Sequence, residues 1–199
     1  MPLFSLTDFV DVVSKSGTPK ATKVAEVKNR PPYQPAFDFY KPLREHIVAT
    51  HESGSGKSTL GQVMPGISDP KKISSYPPIL ASYRKWWGRK NLVWFSPPSG
   101  LFSDHGIDVS VNPELGLEIN GNRHLIKLYF KADPLSKSRT AIIAHLMAVT
   151  LGNRCQAGTT MSLLDIRNSR LLSPTVPIGN LSGILSAELA YISTLWSSI

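Results

Sequence analysis

Ile107-Asp-Val-Ser-Val-Asn-Pro-Glu-Leu-Gly-Leu-Glu-Ile-Asn-Gly-Asn-Arg-His-Leu-Ile-Lys-Leu-Tyr-Phe-Lys131 contains two runs of alternating apolar residues on either side of Asn120-Gly121. An Asn-Gly step in that setting predicts a two-residue hairpin, because a type I′ turn needs positive φ at both central positions. Side chains alternate with a period of two, so a tight turn puts Leu115, Leu117 and Ile119 on the same face as Ile126, Leu128 and Phe130. That face is expected to be core. The opposite face of this central hairpin, residues 115–131, presents Glu114, Glu118, Lys127, Tyr129 and Lys131. Glu114, Glu118, Lys127 and Lys131 form either a polar sheet-face site or cross-strand charge pairs on a wet surface. Pro113 interrupts the stretch, so residues 107–112 and 115–120 are two strands or one bent strand at an edge.

Working outward, Ser5 or Thr7 can cap a helix whose stripe is Leu6, Phe9, Val10 and Val13, closed by Gly17. Lysines interleaved with Val24 and Val27, followed by Arg30-Pro-Pro-Tyr-Gln-Pro35, read as an extended basic strap. Phe37, Tyr40, Leu43, Ile47 and Val48 predict a helix over 40–51. Gly, Ser, Pro and Lys dominate the stretch from Pro65 to Pro78, and a flexible loop is expected at about 52–78. Residues 79–88 read as a helix starting after Pro77-Pro78, and Leu92–Phe95 as a strand. Ser99–Gly106 reads as loop. A core helix capped by Ser136 or Ser138 runs to Leu151, Met161–Ile166 and Arg170–Leu172 read as strands, and Leu181–Trp196 as an amphipathic helix. The expected fold is α+β, with helices packed on one face of a largely antiparallel sheet of four to five strands. Residues 1–35 form the helix and strap packed on the core, and residues 36–199 a single domain. The last helix, over 182–197, packs on the sheet or forms a homodimer contact.

The 199 residues are 41% hydrophobic and 18% charged, with 22 Lys+Arg against 14 Asp+Glu. Fourteen of the basic and seven of the acidic residues precede residue 91, so nearly all of the net +8 belongs to the front of the chain. Such asymmetry points to nucleic acid or another polyanion as partner, or simply to a surface kept soluble by lysine. Cys155 is the single cysteine, which excludes an internal disulfide framework and fits a reducing cytoplasm. No apolar run approaches the length of a membrane span, and no membrane association is expected.

Ile79-Leu-Ala-Ser-Tyr-Arg-Lys-Trp-Trp-Gly-Arg-Lys90 combines aromatic and cationic residues. Arg84, Lys85, Arg89 and Lys90 could hold phosphates while Trp87 stacks on bases, as single-stranded nucleic acid binding requires. Tyr83, Trp86 and Trp87 also stand at core-stripe spacing.

Gly54-Ser-Gly-Lys-Ser-Thr59 resembles the second half of the phosphate-binding loop of P-loop NTPases, which implies phosphate contacts by Gly54, Gly56, Lys57 and Ser58. His51 stands where that family has its first glycine. The order helix 79–88, three strands to 131, helix 137–151 and strand 161–166 resembles the core of restriction-endonuclease-like nucleases. The resemblance places Lys127 as the lysine that stabilises an attacking hydroxide, with Leu125 where an acid stands and Asp108, Glu114 or Glu118 as the remaining acids. A single carboxylate holds a divalent metal weakly, so a binding relative is expected rather than an active nuclease. The five histidines show no metal-ligand spacing, and no metal or cofactor is expected. The sequence thus leads to a non-catalytic nucleic-acid- or polyanion-binding protein, with nucleotide binding through Gly54–Thr59 and a metal-dependent nuclease as its competitors.

Overall fold

A computed structural model of the chain describes residues 1–32, 34, 38–132, 135–174 and 181–199. Tyr33 and Pro35 of the expected strap, and Phe37 of the expected helical stripe, lie outside these. The fold is α+β, built on two mixed sheets with helices alongside.

The hairpin is the spine of the larger sheet. Strands β5 (Leu115–Ile119) and β6 (Asn122–Tyr129) pair antiparallel with Leu115 opposite Ile126 and Ile119 opposite Asn122. That register leaves Asn120 and Gly121 as the turn, at φ +50° and +89°, both in the left-handed region the sequence called for. Strand β2 (Leu92–Phe95) adds antiparallel to β5. Strand β7 (Thr160–Asp165) runs parallel to β6, and β8 (Arg170–Leu172) closes the order β2-β5-β6-β7-β8. Three of its four strand pairs are antiparallel, so the sheet is largely antiparallel as expected, though mixed. Its one parallel pair arises because helix α5 (Lys137–Leu151) carries the chain from the end of β6 back to the start of β7. Gly116 in β5 has a local reason: a Cβ there would lie 2.3 Å from the Phe95 carbonyl oxygen on β2.

Helices lie on both faces of this sheet, not one. Leu115, Leu117, Ile126, Leu128 and Leu164 pack with α3 (Lys41–Glu52), a 3-10 helix (Lys57–Gly66) and α4 (Pro70–Trp87). Leu125 and Leu163, on the opposite face, pack with α1 (Leu6–Val13) and α5. Helix α5 is buried nearly all round, from Thr140 to Ala144 and again at Leu146 and Met147. It contacts the large sheet on one side and, on the other, a second sheet ordered β1-β4-β3. Those strands are β1 (Leu3–Ser5), parallel to β4 (Ile107–Val111), and β3 (Gly100–Asp104), antiparallel to it. Residues 107–111 and 115–119 are thus two strands in two sheets, with Pro113 between them. The expected loop 99–106 is half of a hairpin that turns at His105 and Gly106, both at positive φ.

Two helices differ from the sequence reading. Residues Gly17–Lys28 form α2 rather than an extended strap. Lys20, Val24 and Val27 recur at helical spacing, Val24 is fully buried, and Lys20 is drawn in by Glu188 of α6 (Leu181–Ser198). Helix α4 begins at Pro70, capped by the Asp69 side chain accepting from the Lys71 and Lys72 amides, and runs through Pro77-Pro78. Both prolines are exposed, as are Ile73 and Ser74 four residues earlier, so the carbonyls that lose partners face water. The expected loop at about 52–78 is accordingly mostly helical. Helix α6 buries Leu181, Leu185, Leu189 and Ile192 in this chain's own core, leaving Ile184 and Tyr191 exposed.

Candidate nucleic-acid interface

Helix α4 ends on Gly88, at φ +54°, whose N–H donates to the Arg84 carbonyl. The carbonyls of its last turn would carry the negative end of the helix dipole into solvent. Two lysines answer it: the Lys57 ammonium donates to the Gly88 carbonyl at 2.7 Å, and the Lys90 ammonium donates to the Trp86 carbonyl. Arg84 reaches sideways from the same turn, its Nε donating to the Lys57 carbonyl at 3.3 Å. Lys85 and Arg89 are exposed beside them. Lys57, Arg84, Lys85, Arg89 and Lys90 are therefore gathered at one end of α4, and none forms an ion pair among the described residues. Other basic residues, Lys71, Lys72, Arg154 and Arg167 among them, likewise form no ion pair among the described residues, but eight do. Lys20, Lys23, Arg30, Lys41, Arg44, Lys127, Lys131 and Arg139 each stand within 4.0 Å of a carboxylate. The front-loaded charge of the chain thus does not coat one whole surface. Lys71 and Lys72 sit at the other end of α4, roughly 20 Å from Arg84 and Lys85 along the helix axis.

The aromatic residues of this stretch serve the core. Tyr83 is fully buried and Trp86 is 3% exposed. Trp87 is half-buried, stacked on the His51 ring at 4.5 Å between centroids. His51 Nε2 lies 2.7 Å from the Tyr83 hydroxyl, and burial pushes the imidazole down to about 4, so it is neutral at neutral pH. Burial likewise raises the Tyr83 phenol well above its usual range.

Gly54, Gly56, Lys57 and Ser58 do not form a phosphate cradle. The segment follows a helix instead of a strand and opens a 3-10 helix, and the amides of Gly54, Ser55 and Thr59 already donate to His51, Thr50 and Gly56 carbonyls. Gly54 takes φ +67° to make this turn, and Lys57 is directed at α4.

The polar face of the hairpin is covered. Lys127 and Glu114 pair at 2.6 Å with side chains only 12% and 13% exposed, and the second Glu114 oxygen accepts from the Leu128 amide at 2.7 Å. Lys131 pairs with Asp11 of α1, which also lies 3.9 Å from Arg139 of α5. Glu118 is four residues up the strand from Glu114, roughly 13 Å away, opposite Arg123. The structure thus joins Glu114 to Lys127, sends Lys131 elsewhere and leaves Glu118 apart. A cavity of about 10 Å³ beside Asp11, Lys127, Tyr129 and Arg139 has room for one water at most. Helix α1 seals this layer by burying Leu6, Phe9, Val10 and Val12, a contribution of roughly 6 kcal/mol or more before entropy. Among the described residues no three His, Cys, Asp or Glu side chains stand where one metal ion could bind them.

Sequence reasoning placed Arg84, Lys85, Arg89 and Lys90 together but assigned Lys57 to another role. A lysine directly after a Gly-Ser-Gly turn gives no sign that it will cap a helix 31 residues further on. The polar clamp by Asp11 and Arg139 was equally invisible, since those partners lie on elements remote in sequence. Among the described residues no helix is long and apolar enough to cross a membrane. Comparison with protein-family models and with curated proteins finds no match.

Proposed function

We propose that this protein binds nucleic acid or a similar polyanion, without catalysis, through the cationic end of α4. The observation that carries this reading is clustering. Lys57, Arg84, Lys85, Arg89 and Lys90 share one end of a helix with no carboxylate partner among the described residues, while eight of the other basic side chains have one. Such a cluster attracts phosphates and releases their counterions. Lys57 and Lys90 have a structural duty as caps, so Lys85 and Arg89 are the most available for a partner. A reducing, cytoplasmic setting accords with the single half-buried Cys155. A homodimer through α6 would have little more than Ile184 and Tyr191 to offer and forms no part of the reading.

The nuclease reading retains one observation. Helix, strands, helix, strand recur in that order, but five strands rather than the expected three lie between α4 and α5, two of them, β3 and β4, in the second sheet. Its chemistry is not supported, because Glu114 is saturated by Lys127 and the Leu128 amide and Glu118 lies too far to help.

Retention on immobilised heparin tests the proposal. The unmutated chain should bind at low salt and elute with added salt, and Lys85→Ala with Arg89→Ala should elute earlier. Passage of the unmutated chain through the column at low salt would remove the reading.

A further inference from the structure

We infer that the partner is duplex nucleic acid held by its phosphate backbone, not a single strand held by base stacking; this rests on the polyanion reading above. Recognition of single strands draws on aromatic faces open to the bases, each stacked base contributing about 1–3 kcal/mol. Here the rings beside the cations are occupied. Tyr83 and Trp86 are buried, Trp86 is overlaid by the Lys90 ammonium at 5.5 Å from its centroid, and Trp87 lies against His51. The large sheet offers no alternative platform, because helices cover both of its faces. What the surface does offer is point charges on long stems, with Lys85 and Arg89 exposed.

Point charges favour the partner with the denser phosphate array. A duplex carries a charge every ~1.7 Å along its axis, and each neutralised phosphate contributes a salt exponent of about 0.9, against about 0.7 for a single strand. For three to five cations in ~0.1 M salt the difference amounts to a preference of roughly 4- to 10-fold for the duplex. Base identity should matter little, because contacts of these cations with phosphates carry no sequence information.

Fluorescence anisotropy with a short random-sequence DNA duplex and with one of its separated strands, in the same buffer, tests this. The duplex should bind several-fold tighter, a second duplex of different sequence should bind equally, and tryptophan emission should be unquenched by the single strand. The Trp87→Phe variant, which keeps a ring against His51, should retain duplex affinity within about twofold. Tighter binding of the single strand with quenched tryptophan would overturn the inference while leaving the polyanion reading intact. Binding only to anionic phosphatidylserine vesicles would overturn it too, and failure to bind heparin as well as both DNAs would remove the underlying reading.

Discussion

Replacing Lys127 by methionine removes one partner of the Glu114 pair while keeping most of the side-chain volume. The carboxylate would then remain with side-chain exposure of 13% and only the Leu128 amide to satisfy it. Stranding one member of a buried pair destabilises by about 3–5 kcal/mol, because the uncompensated charge has neither water nor a counterion. Partial exposure places this case near the lower figure, about 3 kcal/mol, which for a chain of this size lowers Tm by roughly 6–12 °C. Glu114→Gln in the same background removes the stranded charge and should restore part of the loss. Urea denaturation of the unmutated chain, both single variants and the double variant measures the coupling directly. Lys127→Met should also bind heparin as the unmutated chain does, since Lys127 lies about 20 Å from the hairpin turn that adjoins the cationic end of α4. A stability loss under 0.5 kcal/mol, within the range of ordinary surface pairs, would refute the buried-layer account. Lost heparin binding with stability unchanged would point to the sheet face as the site.

Two further predictions concern the core around the interface. The His51 imidazole is held down to about 4 by burial, against 6.5 when exposed, so the unfolded chain takes up its proton first as pH falls. Its contribution to stability is therefore complete above pH 6.5 and lost progressively down to pH 4, by about 3 kcal/mol; urea melts between these pH values should show the slope, and His51→Gln should flatten it. Gly116→Ala places a methyl group 2.3 Å from the Phe95 carbonyl oxygen, forcing β2 away from β5. It should destabilise by about 3 kcal/mol, and a thermal melt unchanged from the parent would contradict the close approach.

The hairpin was legible because its information is local: an Asn-Gly turn and period-two alternation fix both register and core face. Helix α5 and the apolar stripes of α1 and α6 were legible for the same reason. The errors arose where distant partners decide the outcome. Lys20, Val24 and Val27 look extended among alternating lysines until Glu188 of α6 reaches Lys20. Pro77-Pro78 end an isolated helix, yet here Tyr76 and Ile79, both buried, hold the turn in place. The three residues of β1 are too short to announce a strand without β4 beside them. At the candidate interface the cations were visible in the sequence, but the allotment of Trp86 and Trp87 to the core depended on His51, brought in by α3.

The salt dependence of duplex binding tests the central claim most directly. With three to five cations at the end of α4 engaged, a plot of log K against log salt should fall with a slope of about −2.7 to −4.5, and Lys85→Ala with Arg89→Ala should make it shallower by about 1.8. A slope near zero, or one that the double substitution leaves unchanged, would contradict the assignment of binding to this end of the helix.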